Sequence, residues 1–195
     1  MAIRTTHRSR LAGAALAVTT GLVCTLSAQP AGADEPAARH CVLDAPSGQQ
    51  RCFGTFTEAV DRATDGRVTD APATPGAAVT SPGFRAKMSA PATKADVGAA
   101  GDVVQGTFFT DPGFAGDTLT ISGPELCEKD GWVNWQYDLG DDWKNRISSV
   151  QPWGNCAIWL YPEPNLGGDR DGPFAENTAD VGQMMNDRTQ SIGFS

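Results

Sequence analysis

The chain has 195 residues, 40% hydrophobic, 8% aromatic and 19% charged, enough for one folded domain with additions and too few for two ordinary domains. Its 15 Lys and Arg against 23 Asp and Glu leave −8 at neutral pH, with no basic block to meet a phosphate backbone, which argues against a nucleic-acid partner. Two histidines, His7 and His40, leave little for imidazole catalysis or a zinc site, and 22 Gly with 13 Pro favour turns over long helices.

In chain order, Arg4, Arg8 and Arg10 precede an Ala/Leu/Val-rich stretch from Leu11 to Leu26, and Ala31-Gly32-Ala33 follows as a small-residue cleavage pattern. This combination predicts a secretory signal peptide over residues 1–33, and hence a secreted, extracellular protein with no membrane partner after its removal. Removal takes three arginines and no acid, so 12 basic residues face 23 acidic ones and the net charge becomes −11. Cys41, Cys52, Cys127 and Cys156 remain, an even number in an oxidising compartment, where disulfides are expected. Cys41–Cys52 and Cys127–Cys156 are the favoured pairs, since each keeps its bridge inside one compositional segment. Each closed loop would add about 3 kcal/mol. No C-x-x-C spacing supports a metal cluster or a thiol nucleophile.

Residues 34–69 hold the first cysteine pair and a short predicted helix within Phe53–Gly66, capped by Thr55 or Thr57 and stopped by Gly66. Phe53, Phe56 and Val60 fall on one helical face, but the segment has too few apolar residues for a core of its own. Residues 70–100 are rich in Ala, Pro and Thr, a composition expected to form a flexible, semi-extended linker.

Residues 101–195 carry all five tryptophans, both tyrosines and five of the eight phenylalanines, so the core is expected there. The segment repeats itself. Phe109, Phe114, Gly116 and Asp117 match Tyr161, Leu166, Gly168 and Asp169 at a constant offset of 52, and Asn145–Val150 matches Asp187–Ile192 at 42. The ten-residue difference falls around Cys127 to Asp138, where the first copy has an insertion. Each copy reads as a β-hairpin followed by further strand, as in Gly106–Phe109 and Thr118–Ile121, with Gly116 and Gly168 where positive φ or a missing Cβ is needed. Two such units sharing one core predict an all-β, two-motif Greek-key sandwich.

These residues resemble the βγ-crystallin family. An aromatic is followed five residues on by an aromatic or Leu and seven on by Gly, and each copy then carries Asn/Asp-x-x-Ser-Ser or a near variant. The resemblance implies calcium sites, each built from a hydroxyl and a carbonyl of one copy with further oxygens from the other. In this chain it points to side-chain oxygens of Asn145, Ser148, Asp187 and Gln190 and carbonyls of Arg146 and Arg188. Lys144 stands where the pattern has an acid or amide, which should weaken calcium nearby. Gln190 replaces a hydroxyl, though its amide oxygen still suits calcium.

Trp132, Trp135 and Tyr137 cluster in the insertion as a possible surface for a polysaccharide or a protein partner, although alternation does not put all the rings on one face. No acid/base constellation is present, and a non-enzymatic monomer is expected. The resemblance also implies an alternative, because some small secreted proteins of this fold inhibit metalloproteinases; the loop tied by Cys127–Cys156 would then enter the protease cleft. A toxin-like or carbohydrate-binding module is the third possibility.

Overall fold

The computed structural model describes residues 37–89 and 103–195. The expected signal peptide and the last part of the expected linker lie outside the described residues. The chain first forms a hairpin of β1 (His40–Asp44) and β2 (Gln49–Phe53), in which Cys41 faces Cys52 and the two are disulfide-bonded. Helix α1 (Phe56–Ala63) follows, capped by Thr55, whose Oγ1 accepts from Glu58 N and donates to Glu58 Oε2. Two short helices come next, α2 (Pro75–Thr80) and α3 (Pro82–Ser89).

The first motif contains β3 (Val103–Asp111), β4 (Ala115–Gly123), β5 (Trp135–Asp138) and β6 (Ser149–Pro152). The second contains β7 (Ile158–Tyr161), β8 (Asp171–Phe174), the single-turn helix α4 (Gly182–Met185) and β9 (Ser191–Phe194). The strands form two sheets, in the orders β2-β1-β4-β3-β6 and β5-β9-β7-β8. The motifs exchange their third segments. β5 of the first pairs with β9 of the second, and Thr178 of the second bridges Val150 in β6 of the first. That crossing makes the expected Greek-key sandwich, with Phe108, Leu119, Ile121, Trp143, Ile158, Leu160, Met185 and Phe194 buried in its core.

The N-terminal segment does not stand apart from this domain. β1 runs parallel to β4 with His40 opposite Thr118 and Asp44 opposite Ser122, which covers the edge that β4 would otherwise expose. Alternation sends Cys41 and Leu43 into the inter-sheet core and His40 and Val42 to the outer face. There Val42, Val104 and Trp153 pack with Phe56, Val60, Ala78, Phe84 and Met88 of the helices.

The linker expected over 70–100 is thereby corrected for residues 75–89. Thr74 caps α2, prolines open both helices with φ already suited to the first turn, and Ser81 accepts from Phe84 N through its hydroxyl at 3.3 Å. Their few apolar side chains could not pay for ordering alone, but the sheet's outer face supplies the other half of a second core.

His40 is buried on this outer face, edge-on to Phe56 and sharing a 3.0 Å hydrogen bond between Nδ1 and Thr118 Oγ1. Burial lowers its pKa below the usual 6.5, partly opposed by the charge of Asp117. Protonation therefore favours the unfolded chain. Stability should be complete above about pH 6.5 and decline as pH falls below it. Urea midpoints at pH 7.5 and 5.5 should differ more for the natural protein than for His40→Gln; equal differences would refute this role.

Candidate functional site

The two copies make the same turns from different residues. Gly113 and Phe114 have φ of 74° and 64°, and their counterparts Asn165 and Leu166 have 55° and 58°, so each hairpin tip takes two successive left-handed residues. Gly116 and Gly168 both have φ of 77°, and a Cβ would lie 2.3 Å from Thr110 Oγ1 at the first and 2.7 Å from Pro162 Cγ at the second. One serine holds each folded tip. Ser149 Oγ donates to Asp111 O at 2.7 Å and accepts from Phe114 N at 3.1 Å. Ser191 Oγ donates to Glu163 O at 2.6 Å and accepts from Leu166 N at 3.0 Å.

The second signature places the turns 144–149 and 186–191 back to back. Asn145 and Asp187 are both left-handed, with φ of 58° and 55°. Asn145 N donates across to Thr189 O at 2.8 Å, and Asp187 N returns the bond to Ile147 O at 3.1 Å. Leu139 N to Gln190 O (2.9 Å) and Val181 N to Ser148 O (3.0 Å) are a second exchanged pair. Every partner maps onto its mate at the offset of 42, so a pseudo-twofold axis runs between the turns. Residues 103–195 form an all-β, two-motif Greek-key sandwich, consistent with the βγ-crystallin-like fold expected from the sequence.

No protein-family model and no curated protein matches the chain. Solved structures similar to it include a βγ-crystallin domain from Clostridium beijerinckii, at 17% identity over 46% of this chain and 95% of that one, with a TM-score of 0.37. The N-terminal domain of Protein S is 21% identical over 47% of this chain and 94% of its own, with a TM-score of 0.37. A βγ-crystallin domain from Flavobacterium johnsoniae is 19% identical over 46% and 92%, with a TM-score of 0.35.

The two turn pairs differ in what they offer a cation. In the first, Ser148 Oγ lies 3.5 Å from Asp187 Oδ1 of the other copy and 2.7 Å from Thr110 O. Asn186 Nδ2 donates to Asp187 Oδ2 at 3.2 Å, while Asn186 Oδ1 is buried without a partner. Among the described residues no basic side chain forms an ion pair with Asp187. A carboxylate, a hydroxyl, a carbonyl and an orphaned amide oxygen in one neighbourhood suit calcium, which takes many oxygens in flexible geometry. In the second pair Asn145 and Gln190 replace Asp187 and Ser148, and Lys144 stands where Asn186 stands, its Nζ 2.9 Å from Asp141 Oδ1. The expected carbonyl donors Arg146 and Arg188 sit within the two turns. Among the described residues no group of three or more His, Cys, Asp or Glu side chains converges as a metal cluster, so a cation here would have to complete the Asp187 carboxylate with hydroxyl, amide and carbonyl oxygens.

One contributor escaped sequence reasoning. Asp117, noted only as part of the repeat, accepts from Arg39 N at 2.8 Å, from the Arg39 guanidinium at 3.3 Å and from the Arg146 guanidinium at 3.0 Å. Burial works against its charge, but these donors more than compensate and hold its carboxyl below the usual carboxylate range. Arg39 lies 78 residues away, so no local signal could have paired them.

The aromatic surface expected from Trp132, Trp135 and Tyr137 is corrected. Trp135 stacks on core residue Phe194 at 4.2 Å and 5°, and Tyr137 is half-buried against the core, because both lie on β5 with their side chains turned to the sandwich. Trp132 alone stands out, 76% exposed, with Leu126 nearby in sequence at 50%. Trp132 lies in the insertion and Leu126 immediately before it, and the Cys127–Cys156 disulfide and the bond from Cys127 N to Gly154 O (3.2 Å) tie this stretch to the segment after β6. A cleft of about 1020 Å³ opens beside it, lined by Leu126, Lys129, Met88, Trp153 and Trp159 among others.

Proposed function

We propose that this is a secreted, non-enzymatic, monomeric protein whose sandwich binds one calcium ion weakly between its two copies. The observation that carries this reading is the approach of Ser148 Oγ to Asp187 Oδ1 across the pseudo-twofold axis, beside the unpartnered Asn186 Oδ1. Calcium would supply a cross-link between the motifs. The protein's part is to hold the oxygens ready, through the left-handed Asp187 and the Ser148 N–H, which donates to Phe109 O at 2.9 Å. The net charge of −11 after signal removal further favours a bound divalent cation. Lys144 and Gln190 account for the weaker second pair.

Calorimetric titration of chelator-stripped residues 34–195 tests this. Saturable binding near one equivalent is expected, with stabilisation of about 2.7 kcal/mol at a hundredfold excess over Kd. Ser148→Ala or Asp187→Ala should remove both the heat and the rise in melting temperature. No heat and no thermal shift in the natural protein would mean that the turns are structural only.

The exposure of Trp132 and Leu126 on a disulfide-tied loop favours a second reading, inhibition of a secreted protease by that loop, which needs a rigid segment that binds at low entropic cost. Stoichiometric inhibition of a metallo- or serine protease, weakened at least tenfold in Trp132→Ala, is the expected result; rapid cleavage of the loop by every protease tried would exclude it. A polysaccharide platform is less well supported, since Trp135 and Tyr137 are spent on the core.

A further inference from the structure

The N-terminal segment is linked to the first signature turn through two shared residues, Asp117 and Asp142. Arg146, in the middle of that turn, gives one guanidinium nitrogen to Asp117 Oδ2 at 3.0 Å and another to Asp142 O at 3.1 Å. The same Asp117 receives the backbone and side chain of Arg39, immediately before β1. From β2, Gln50 Nε2 donates to Asp142 Oδ2 at 2.7 Å. Asp169 and Arg188 occupy the matching positions in the second copy, but both are exposed and among the described residues no ion pair joins them. The link is therefore particular to the copy that carries the added hairpin. Asp117 is mostly buried, with 16% of its side chain exposed, so its bonds are screened less than those of a surface pair.

We propose that Asp117 is a positioning residue that makes the β1–β2 hairpin and the Lys144–Ser149 turn one cooperative unit, so that the N-terminal segment sets how firmly the turn presents Ser148 to a cation. Only the last clause rests on the calcium reading. Arg39 and Arg146 converge on one carboxylate from elements distant in sequence, and at Asp142 Gln50 takes the side chain while Arg146 takes the carbonyl. Releasing the hairpin takes Arg39 from Asp117 and Gln50 from Asp142, the two residues to which Arg146 anchors the turn. Coupling of this kind is reciprocal, so a cation held by the turn must protect the hairpin by the factor that the docked hairpin adds to cation affinity.

Amide hydrogen exchange on residues 34–195 tests this, in chelator and in calcium, for the natural protein, Asp117→Asn and the milder surface variant Gln50→Ala. In chelator, Asp117→Asn should speed exchange of the β1 amides and of Lys144 and Asn145 together, by roughly three- to tenfold, while β7 and β9 keep their rates. Gln50→Ala should give the same pattern at smaller size. Calcium should slow β1 in the natural protein and do so less in Asp117→Asn, an effect on distant amides that a merely local structural role would not produce. Loss of protection confined to β1, or spread equally over β7 and β9, would overturn the proposal. If calcium changes nothing while Asp117→Asn still loosens hairpin and turn together, the calcium reading fails and the cooperative unit stands.

Discussion

Replacing Trp143 with alanine is expected to destabilise the protein by about 3–5 kcal/mol, enough to lower the melting temperature of a domain this size by roughly 10 °C. The ring is almost wholly buried in the inter-sheet core, and it immediately precedes the Lys144–Ser149 turn. Met185 fills the equivalent place before the turn 186–191 and is equally buried. The two copies thus hang their signature turns on plugs of different size at one position. Trp143 Nε1 is buried without a partner, which is unfavourable and slightly reduces what the ring contributes. Trp143→Phe removes that N–H while keeping most of the volume, so it should cost much less than Trp143→Ala. Denaturant unfolding of both variants checks the pair. A loss under about 1 kcal/mol in Trp143→Ala would mean that the core closes over the gap, and that the plug does not set the turn.

The parts of the fold that the sequence reveals are those written in short-range chemistry. The tips of the two hairpins need consecutive left-handed residues and a glycine where a Cβ would strike the folded-over hairpin, at Thr110 in one copy and Pro162 in the other, and Gly116 and Gly168 show that need at a fixed offset. Ser149 and Ser191 are visible for the same reason, because each serves a hairpin of its own copy. What stays hidden depends on partners far along the chain. β1 pairs with β4 across 78 residues, and Arg39 finds Asp117 only once that pairing exists. The signature turns are legible as a set of residue types, but not which of them come together: Ser148 with Asp187, and Lys144 with Asp141. The insertion was legible only in part. Alternation already denies Trp132, Trp135 and Tyr137 a common face, but not which rings turn inward; β5 carries the last two against the sandwich and leaves Trp132 on the loop before it.

Phe84→Ala separates most sharply a tether from a packed element. Residues 70–100 have the composition of a linker, and a phenylalanine in a linker contributes within about 0.5 kcal/mol of nothing. In the fold, Phe84 is buried on α3, its ring 6.2 Å from Phe56 and 5.9 Å from Trp153, edge-on to the latter at 87°. Truncating it should cost about 3–5 kcal/mol, part of it from the lost aromatic pairs. Trp153 also donates from Nε1 to Thr107 Oγ1 at 3.1 Å, so the cluster connects the helices to the outer face of the larger sheet. Water admitted by the cavity should therefore shift Trp153 emission to the red, and Trp153→Phe should abolish that part of the signal. Fluorescence-monitored urea unfolding measures both effects at once. Composition fails here for a definite reason. It asks whether a segment has enough apolar surface to fold alone, and Ala78, Phe84 and Met88 do not; packed on Val42, Val104 and Trp153, three such side chains are enough.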